Sequence, residues 1–342
     1  MQGVVDTIAP MTWSLEQLAF GSILTLSLCA CAAASEPSLH PPAAPAPAPA
    51  PAPPPRAEAA ETPATIVLAS ATAPVDPTCK QSPLCQGESC CTRLFVPAGT
   101  YADKKAGQVH VGDFYLDKYE LTVGRVRAWV DAGSPAPAPG TVLGKDSNGR
   151  DVRWSAQWKV MSEARLHGWE RYDTWRVGQV DLPKNFIDWY TSAAVCAFAG
   201  GRLPDDAEWH YAAAGGDENR MFPWGSAPQT PERAVYNCMG DGNQSCSLKD
   251  VLAVGSRPLG AGRWGHMDLA GSMFEWTMDG IDDEGTVARG GGFCYIGGID
   301  RRSKPISTVD NARRDPPASV SHMVGARCAY DVASTNHVAS AQ

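Results

Sequence analysis

The chain has 342 residues and a formal net charge of −8 at neutral pH, from 29 basic and 37 acidic side chains. No block of basic residues interrupts this acidic balance, which argues against nucleic acid as a partner. The length would allow two or three domains, but the N-terminal part lacks the composition of a folded core, so we predict one.

An apolar run of 17 residues, from Leu18 to Ala34, stands near the N terminus. It is short for a bilayer span and typical of the hydrophobic part of a secretory signal. Its end, Leu28-Cys29-Ala30-Cys31, resembles the lipobox of bacterial lipoproteins. We therefore predict a signal peptide over 1–31 and export to the bacterial cell envelope, with a lipid on Cys31 anchoring the chain to a membrane. No Lys or Arg precedes the run, and the alternative is an uncleaved anchor.

A segment that is almost only Pro and Ala follows over residues 41–56. Proline fixes φ at every other residue, so this stretch predicts a semi-rigid polyproline II spacer that rises about 3.1 Å per residue. We predict a disordered linker over 32–76, which holds a folded domain away from the membrane. The tail, 333–342, is predicted to be disordered as well.

The cysteines indicate a domain stapled by disulfides in an oxidising compartment. Of the eleven, Cys29 is lost with the signal and Cys31 carries lipid, which leaves nine, an odd number. Four lie in a Cys-rich segment, 77–91, that opens the domain and could form two bridges among themselves. Cys238 and Cys246 flank a Gly-rich loop that could close on itself. A pair between Cys196 and Cys328 would then leave Cys294 as our leading candidate for a free thiol.

The main domain, 92–332, shows two clear helical patterns. Residues 111–133 predict a strand that turns into a helix, with Thr122 as its N-cap. Residues 188–216 predict two helices joined by a Gly-Gly-Arg-Leu-Pro connection. Asp205 and Glu208 form a capping box at the second of them. The intervening stretch, 141–180, has scattered tryptophans without a sustained period, and we expect it to be mostly irregular.

Six ordered motifs over about residues 92–331 resemble the sulfatase-modifying-factor, or formylglycine-generating-enzyme-like, superfamily. They are FYLDKYELTVGRVRAWVDAG, DWYTSAAVCAFAGGRLPDDAEWHYAAAGG, FPWG, HMDLAGSMFEW, ARGGGF and VGARCA. The resemblance implies a single α+β domain of C-type-lectin-like type with low regular secondary structure. It also implies a disulfide between Cys196 and Cys328, which would contribute about 4 to 5 kcal/mol by closing a long loop.

The active members of this family oxidise a target cysteine to formylglycine, using O₂ and a Cu(I) ion held by two cysteine thiolates. Those cysteines are five residues apart after an RGGS motif. Aligned on Arg289-Gly290-Gly291, the two positions fall on Tyr295 and Asp300, and a shift of one residue gives Cys294 and Ile299. Neither register supplies two thiolates, so the sequence predicts that the family's copper site is missing. Gly292 also replaces the serine of that motif.

The resemblance places other site residues on this chain. Asn237 and Glu275 match ligands of structural calcium ions, although Ser272 replaces an asparagine of the family's GNxxEW motif. Cys294 is the candidate catalytic thiol. The candidates for a substrate groove are Phe274, Tyr295, Arg301 and Arg302. Some relatives bind iron through histidines on an attached bundle, but the seven histidines here are widely separated, and we predict no such site.

Two functions follow from these observations. The first is a divergent binding module for an exported protein, peptide or glycan, without the copper-binding cysteine pair. The alternative is a formylglycine-generating oxidase that uses O₂ to oxidise a cysteine of a client protein such as a sulfatase. The free thiol expected at Cys294 is the feature that separates them, because the oxidase requires thiol chemistry and the binding module does not.

Overall fold

The computed structural model describes residues 76–79, 84–168, 171–243, 245–281, 285–294 and 309–332. Its strands and helices are short and are joined by long irregular segments. The strands are β1 (Leu84–Cys85), β2 (Glu88–Ser89), β3 (Arg93–Val96), β4 (Gly99–Asp103), β5 (Gly107–Val111), β6 (Phe114–Asp117), β7 (Val142–Lys145), β8 (Asp151–Arg153), β9 (Phe274–Trp276), β10 (Thr286–Gly290), β11 (Ala312–Asp315), β12 (Val324–Gly325) and β13 (Ala329–Asp331). The α-helices are α1 (Val123–Asp131), α2 (Thr174–Val177), α3 (Trp189–Phe198) and α4 (Asp206–Ala214).

Two small sheets and three hairpins result from this order. One sheet has the strand order β11-β10-β9-β12, in which only β9 and β12 run parallel. The other is antiparallel, with the order β13-β6-β3. The hairpins are β1-β2, β4-β5 and β7-β8. The predicted fold class, one α+β domain of low regular secondary structure, is confirmed.

The helices begin and end where the sequence indicates. The Thr122 side chain accepts a hydrogen bond from the Arg125 N–H at the start of α1. At α4, Asp205 and Glu208 complete the capping box, and Gly215 ends the helix with a φ of 70°. Gly201 lies so close to β13 that a Cβ there would be 2.5 Å from the Ala329 carbonyl oxygen. The Gly-Gly connection therefore lets α3 pack directly against the sheet.

The largest part of the core lies between α1, α3 and β9, with the fully buried rings of Trp129, Trp189 and Trp276. Cys196 and Cys328, which belong to the same cluster, are disulfide-bonded. In the segment that opens the domain, Cys79 pairs with Cys91 and Cys85 with Cys90. Within the described residues, no helix is both long and apolar enough to cross a membrane.

The stretch 141–180 is more regular than the sequence predicts. It contains β7, β8, a 3₁₀ turn at Glu163–Leu166 and α2. These pieces are three or four residues long, and β7 carries an irregular register between Val142 and Gly144. Such pieces are too short to show a hydrophobic period. Trp154 and Trp175 are buried in the main core, so these two rings stabilise the fold rather than form a surface.

Candidate functional site

Strand β10, which lies between β9 and β11, ends with Arg289 and Gly290, the first two residues of the Arg-Gly-Gly motif. Arg289 forms a bidentate ion pair with Asp206 of α4, with both contacts at 2.5 Å. Gly290 has a φ of 101°, which favours glycine. A Cβ on Gly292 would lie 2.7 Å from the Cβ of Met323. Met323 therefore occupies the space that a serine at this position would need, which gives a steric reason for the replacement.

Three backbone hydrogen bonds attach the next residues to two neighbouring loops. Phe293 N–H donates to the Ser272 carbonyl at 2.8 Å, and Ser272 N–H donates to that of Val235 at 2.8 Å. Cys238 N–H donates to the Phe293 carbonyl at 2.8 Å. Asn237 and Cys238 have φ values of 50° and 57°, unusual for residues other than glycine. This left-handed step brings the Cys238 side chain toward Cys294.

Three cysteine sulfurs meet at this point. The Sγ atoms of Cys238, Cys246 and Cys294 all lie within 4.8 Å of one another. The structure pairs Cys246 with both Cys238 and Cys294, and the Cys238 and Cys294 sulfurs are 3.6 Å apart. A sulfur atom forms one disulfide bond, so the three hold at most one disulfide and at least one thiol. The sequence did not place Cys294 beside the other two, because 48 or more residues separate it from them.

The cysteine cluster has an aromatic wall and a cation beside it. The rings of Tyr172 and His322 stack with centroids 4.7 Å apart, and Phe293 lies 5.9 Å from each. Burial, together with Arg313, lowers the pKa of His322, which favours a neutral imidazole. The Arg171 guanidinium donates to the Cys246 carbonyl at 2.6 and 3.0 Å. The Arg171 cation is therefore held against the backbone of Cys246.

The candidate calcium ligand Glu275 is occupied by a buried ion pair. Its two carboxylate oxygens accept from Arg327 at 2.6 Å each, and Oε2 also accepts from the Trp209 indole at 2.7 Å. Ser272, which replaces the family's asparagine, donates its hydroxyl to Glu120 at 2.9 Å. Burial raises the pKa of Glu120 well above its usual range. Calcium binding at Asn237 and Glu275 stays a prediction.

The other predicted site residues divide into two groups. Phe274 is only 1% exposed, because it lies in β9 between β10 and β12, so it belongs to the core and does not line a groove. Tyr295, Arg301, Arg302 and Cys31 lie outside the described residues.

A polar cleft of about 640 Å³ lies between the β4-β5 hairpin, α4 and the β10-β11 pair. Its lining includes five basic and three acidic residues, which are Lys104, Lys105, Arg289, Arg313, Arg314, Asp103, Asp206 and Asp310. Lys104 pairs with Asp310, and both Lys105 and Arg314 are exposed. The lining has more basic than acidic residues in a chain that is acidic overall, and Arg313 pairs with Asp315 just outside it. Sequence analysis missed this cleft, because its residues come from five separate segments.

Residues 78–332 match the family model of the sulfatase-modifying factor enzyme 1-like domain. The chain belongs to this family. A bovine formylglycine-generating enzyme is 26% identical over 189 residues, 51% of this chain and 50% of that protein. A murine inactive C-alpha-formylglycine-generating enzyme 2 is 29% identical over 158 residues, 44% of this chain and 50% of that protein. The chain thus spans about half the length of these two relatives.

The solved structure of PvdO from Pseudomonas aeruginosa is 18% identical in sequence to this chain and superimposes with a TM-score of 0.47. The match covers 70% of this chain and 94% of the PvdO chain. The resemblance to the sulfatase-modifying-factor superfamily is therefore confirmed by the family match. Because an enzyme and a protein named inactive match at similar identity, membership of the family does not decide whether this domain is catalytic. That question depends on the side chains of the site.

Proposed function

We propose that this chain is an exported sulfatase-modifying-factor-like protein whose domain binds a carboxylate-bearing polymer of the cell envelope, either an acidic peptide segment of a protein or an acidic glycan. The observation that carries this proposal is the positively charged cleft beside Arg289. Its charge is opposite to the net charge of −8 of the chain. A concave site of one sign concentrates ligands of the other.

The shape of the cleft supports an extended polar ligand rather than a small apolar one. In its lining Arg289 is half-buried and His210 is buried, and we call the exposed pair Lys105 and Arg314 its rim. Arg289 is held by Asp206, so its position is fixed before a ligand arrives. The rim cations are then the groups that meet successive carboxylates along a polymer.

Fluorescence anisotropy tests this proposal with two labelled probes, an oligoglutamate peptide and an oligogalacturonate. We expect the full chain to bind one of them, and the double variant Lys105→Gln/Arg314→Gln to bind about tenfold more weakly. The matched control is Lys159→Gln, which removes an exposed charge elsewhere. The probe that binds identifies the ligand as peptide or glycan. Failure of both probes to bind, or equal binding by the double variant, contradicts the proposal.

We also propose that Cys31 is lipidated and that the Pro/Ala segment over 41–56 spaces the domain from the membrane. The lipobox-like Leu28-Cys29-Ala30-Cys31 supports the anchor. Mass spectrometry of the N-terminal peptide after expression in a bacterium should show a diacylglyceryl group on Cys31. Cys31→Ser should move the protein from the membrane fraction to the soluble fraction. A mature chain that retains residues before Cys31 would contradict this proposal.

A second candidate function is the copper-dependent oxidase, and the cysteine cluster favours it. Cu(I) prefers thiolate ligands, and Cys238, Cys246 and Cys294 are the described residues that would hold it. Bound copper would supply O₂ activation, while the domain's own groups would hold the client cysteine beside it. A titration of the reduced chain with Cu(I) against a chromophoric chelator tests this candidate. A tight site that the Cys294→Ser variant lacks supports it, and the lack of any tight site excludes it.

A further inference from the structure

We propose that Cys238, Cys246 and Cys294 form a thiol–disulfide exchange centre, in which Cys246 bonds to either neighbour and Cys294 reacts with a cysteine of an exported polypeptide. None of the three cysteines lines the polar cleft, so this activity goes beyond the binding function proposed above. The observation behind it is the meeting of three sulfurs that all lie within 4.8 Å of one another, with Cys246 paired with both neighbours.

The three sulfurs differ in their access to solvent. Cys238 is 0% exposed and Cys246 is 7% exposed, whereas Cys294 is half-buried. An incoming thiol therefore meets Cys294 first. When Cys238 and Cys246 are bonded to each other, both bonded sulfurs are buried and Cys294 is the thiol. When Cys246 and Cys294 are bonded, the disulfide has one accessible sulfur.

The surrounding structure holds the three sulfurs in place for exchange. Cys238 is fixed by its left-handed backbone and its hydrogen bond to Phe293, the residue before Cys294. Cys246 is fixed by the two hydrogen bonds from Arg171 to its carbonyl oxygen. Exchange proceeds through the thiolate, which is both the attacking and the leaving form. Arg171 is a positioning residue, because its two hydrogen bonds hold the backbone of Cys246.

The internal step conserves atoms and electrons. The Cys294 thiolate attacks the Cys246 sulfur, the Cys246–Cys294 bond forms, and the Cys238–Cys246 bond breaks. The electron pair leaves on the Cys238 sulfur, which takes up a proton. No oxidant is consumed, because one disulfide replaces another.

The external step transfers the disulfide to a client polypeptide that has two thiols. A client thiolate attacks the Cys294 sulfur, a mixed disulfide forms, and Cys246 leaves as a thiolate. The second client thiolate then attacks the client sulfur of this mixed disulfide and releases Cys294. The client is oxidised to a disulfide, and the domain is reduced to three thiols. A small-molecule disulfide accepts the two electrons and restores the bond in the domain.

A disulfide map of the full chain gives the first test. Free thiols are blocked by alkylation at low pH, and linked peptides are identified without reduction by mass spectrometry. We expect both Cys238–Cys246 and Cys246–Cys294 peptides from the wild type. Cys196 and Cys328 should be linked only to each other. A single linkage that stays unchanged after incubation with a small thiol would overturn the proposal.

Kinetic measurements give the second test. A dithiol peptide is oxidised by glutathione disulfide without oxygen and with a metal chelator present, so that copper chemistry makes no contribution. The wild type should accelerate this reaction about tenfold over Cys294→Ser. Cys294→Ser retains the Cys238–Cys246 bond and should fold, which circular dichroism checks. Equal rates for the two proteins, or native mass spectrometry showing a metal ion that protects all three cysteines, would refute the exchange centre.

The Cys238→Ser variant separates exchange from simple thiol reactivity. It should hold the domain in the Cys246–Cys294 state and trap a single-thiol peptide on Cys294. The wild type should trap less of this peptide, because Cys238 competes for Cys246. If Cys238→Ser and wild type trap equal amounts, Cys238 has no part in the centre and the three-cysteine proposal fails.

Discussion

The buried ion pair between Glu275 and Arg327 offers a sharp test of what stabilises this fold. Both side chains are 0% exposed, and two hydrogen bonds of 2.6 Å join them. Glu275→Gln keeps the shape of the side chain but removes its charge, leaving Arg327 buried beside a neutral amide. Breaking a buried pair in this way typically costs about 3 to 5 kcal/mol. Glu120 and Asp268 also interact with Arg327, so we expect the lower end, about 3 kcal/mol.

Arg327→Met should cost more, about 5 kcal/mol. It leaves three carboxyl groups without their cation, and it frees the carbonyls of Asp117, Lys118 and Met267, which accept from the guanidinium at 2.9 to 3.2 Å. The double variant Glu275→Gln/Arg327→Met should lose less than the sum of the single losses, with a coupling of about 2 kcal/mol.

Guanidinium unfolding of the full chain, followed by tryptophan fluorescence without reductant, measures these losses. The control is Lys145→Gln, which breaks an exposed pair with Asp151 and should leave the unfolding midpoint unchanged. If Glu275→Gln costs less than about 1 kcal/mol, or if the single losses add in the double variant, the charge of Glu275 does not carry the stability assigned to it.

Three further predictions concern stability. Burial raises the pKa of Asp268 to about 6, so the folded state holds more protons than the unfolded state between about pH 4 and 6, and stability falls as pH rises through this window. In Asp268→Asn, the decrease in unfolding free energy between about pH 4 and 6 should be smaller by about 2 kcal/mol, as unfolding curves at several pH values would show. A parallel pH dependence in variant and wild type would contradict this. Gly201→Ala should cost at least about 1 to 3 kcal/mol, because its Cβ meets the Ala329 carbonyl; an unchanged melting temperature would show that the connection has room. Removing the Cys196–Cys328 bridge as a double alanine variant opens a loop of 132 residues and should cost about 5 kcal/mol by the chain-entropy estimate; calorimetry against the disulfide-intact wild type checks it.

Local signals in the sequence predicted the helices well. Thr122, Asp205 and Glu208 cap α1 and α4 because capping depends on residues three positions apart, which a sequence displays directly. The motif order predicted the family and hence the fold, which composition alone did not. The short elements of 141–180 escaped prediction, because three or four residues are fewer than the window in which a period can be counted.

Long-range contacts were the part of the candidate site that sequence reasoning could not supply. The ion pair of Glu275 and Arg327 joins residues 52 positions apart, and nothing in either motif indicates that they meet. The position of Cys294 beside Cys246 is hidden for the same reason. The odd number of cysteines was the one available signal, and it indicated a free thiol in the domain without indicating that its neighbours are also cysteines.

Backbone strain and rigid packing occur together around the cysteine cluster. Among the described residues, eight non-glycine residues have positive φ, and three of them, Asn237, Cys238 and Ser272, lie in the loops at this cluster. Such conformations cost about 1 to 3 kcal/mol each and persist only where neighbours fix them. Here the neighbours are identifiable, since Ser272 is held by Glu120 and Val235, and Cys238 by Phe293. The hydrogen bonds of Ser272 and Cys238 therefore hold the loops that bring three sulfurs together in a backbone conformation that residues other than glycine rarely adopt.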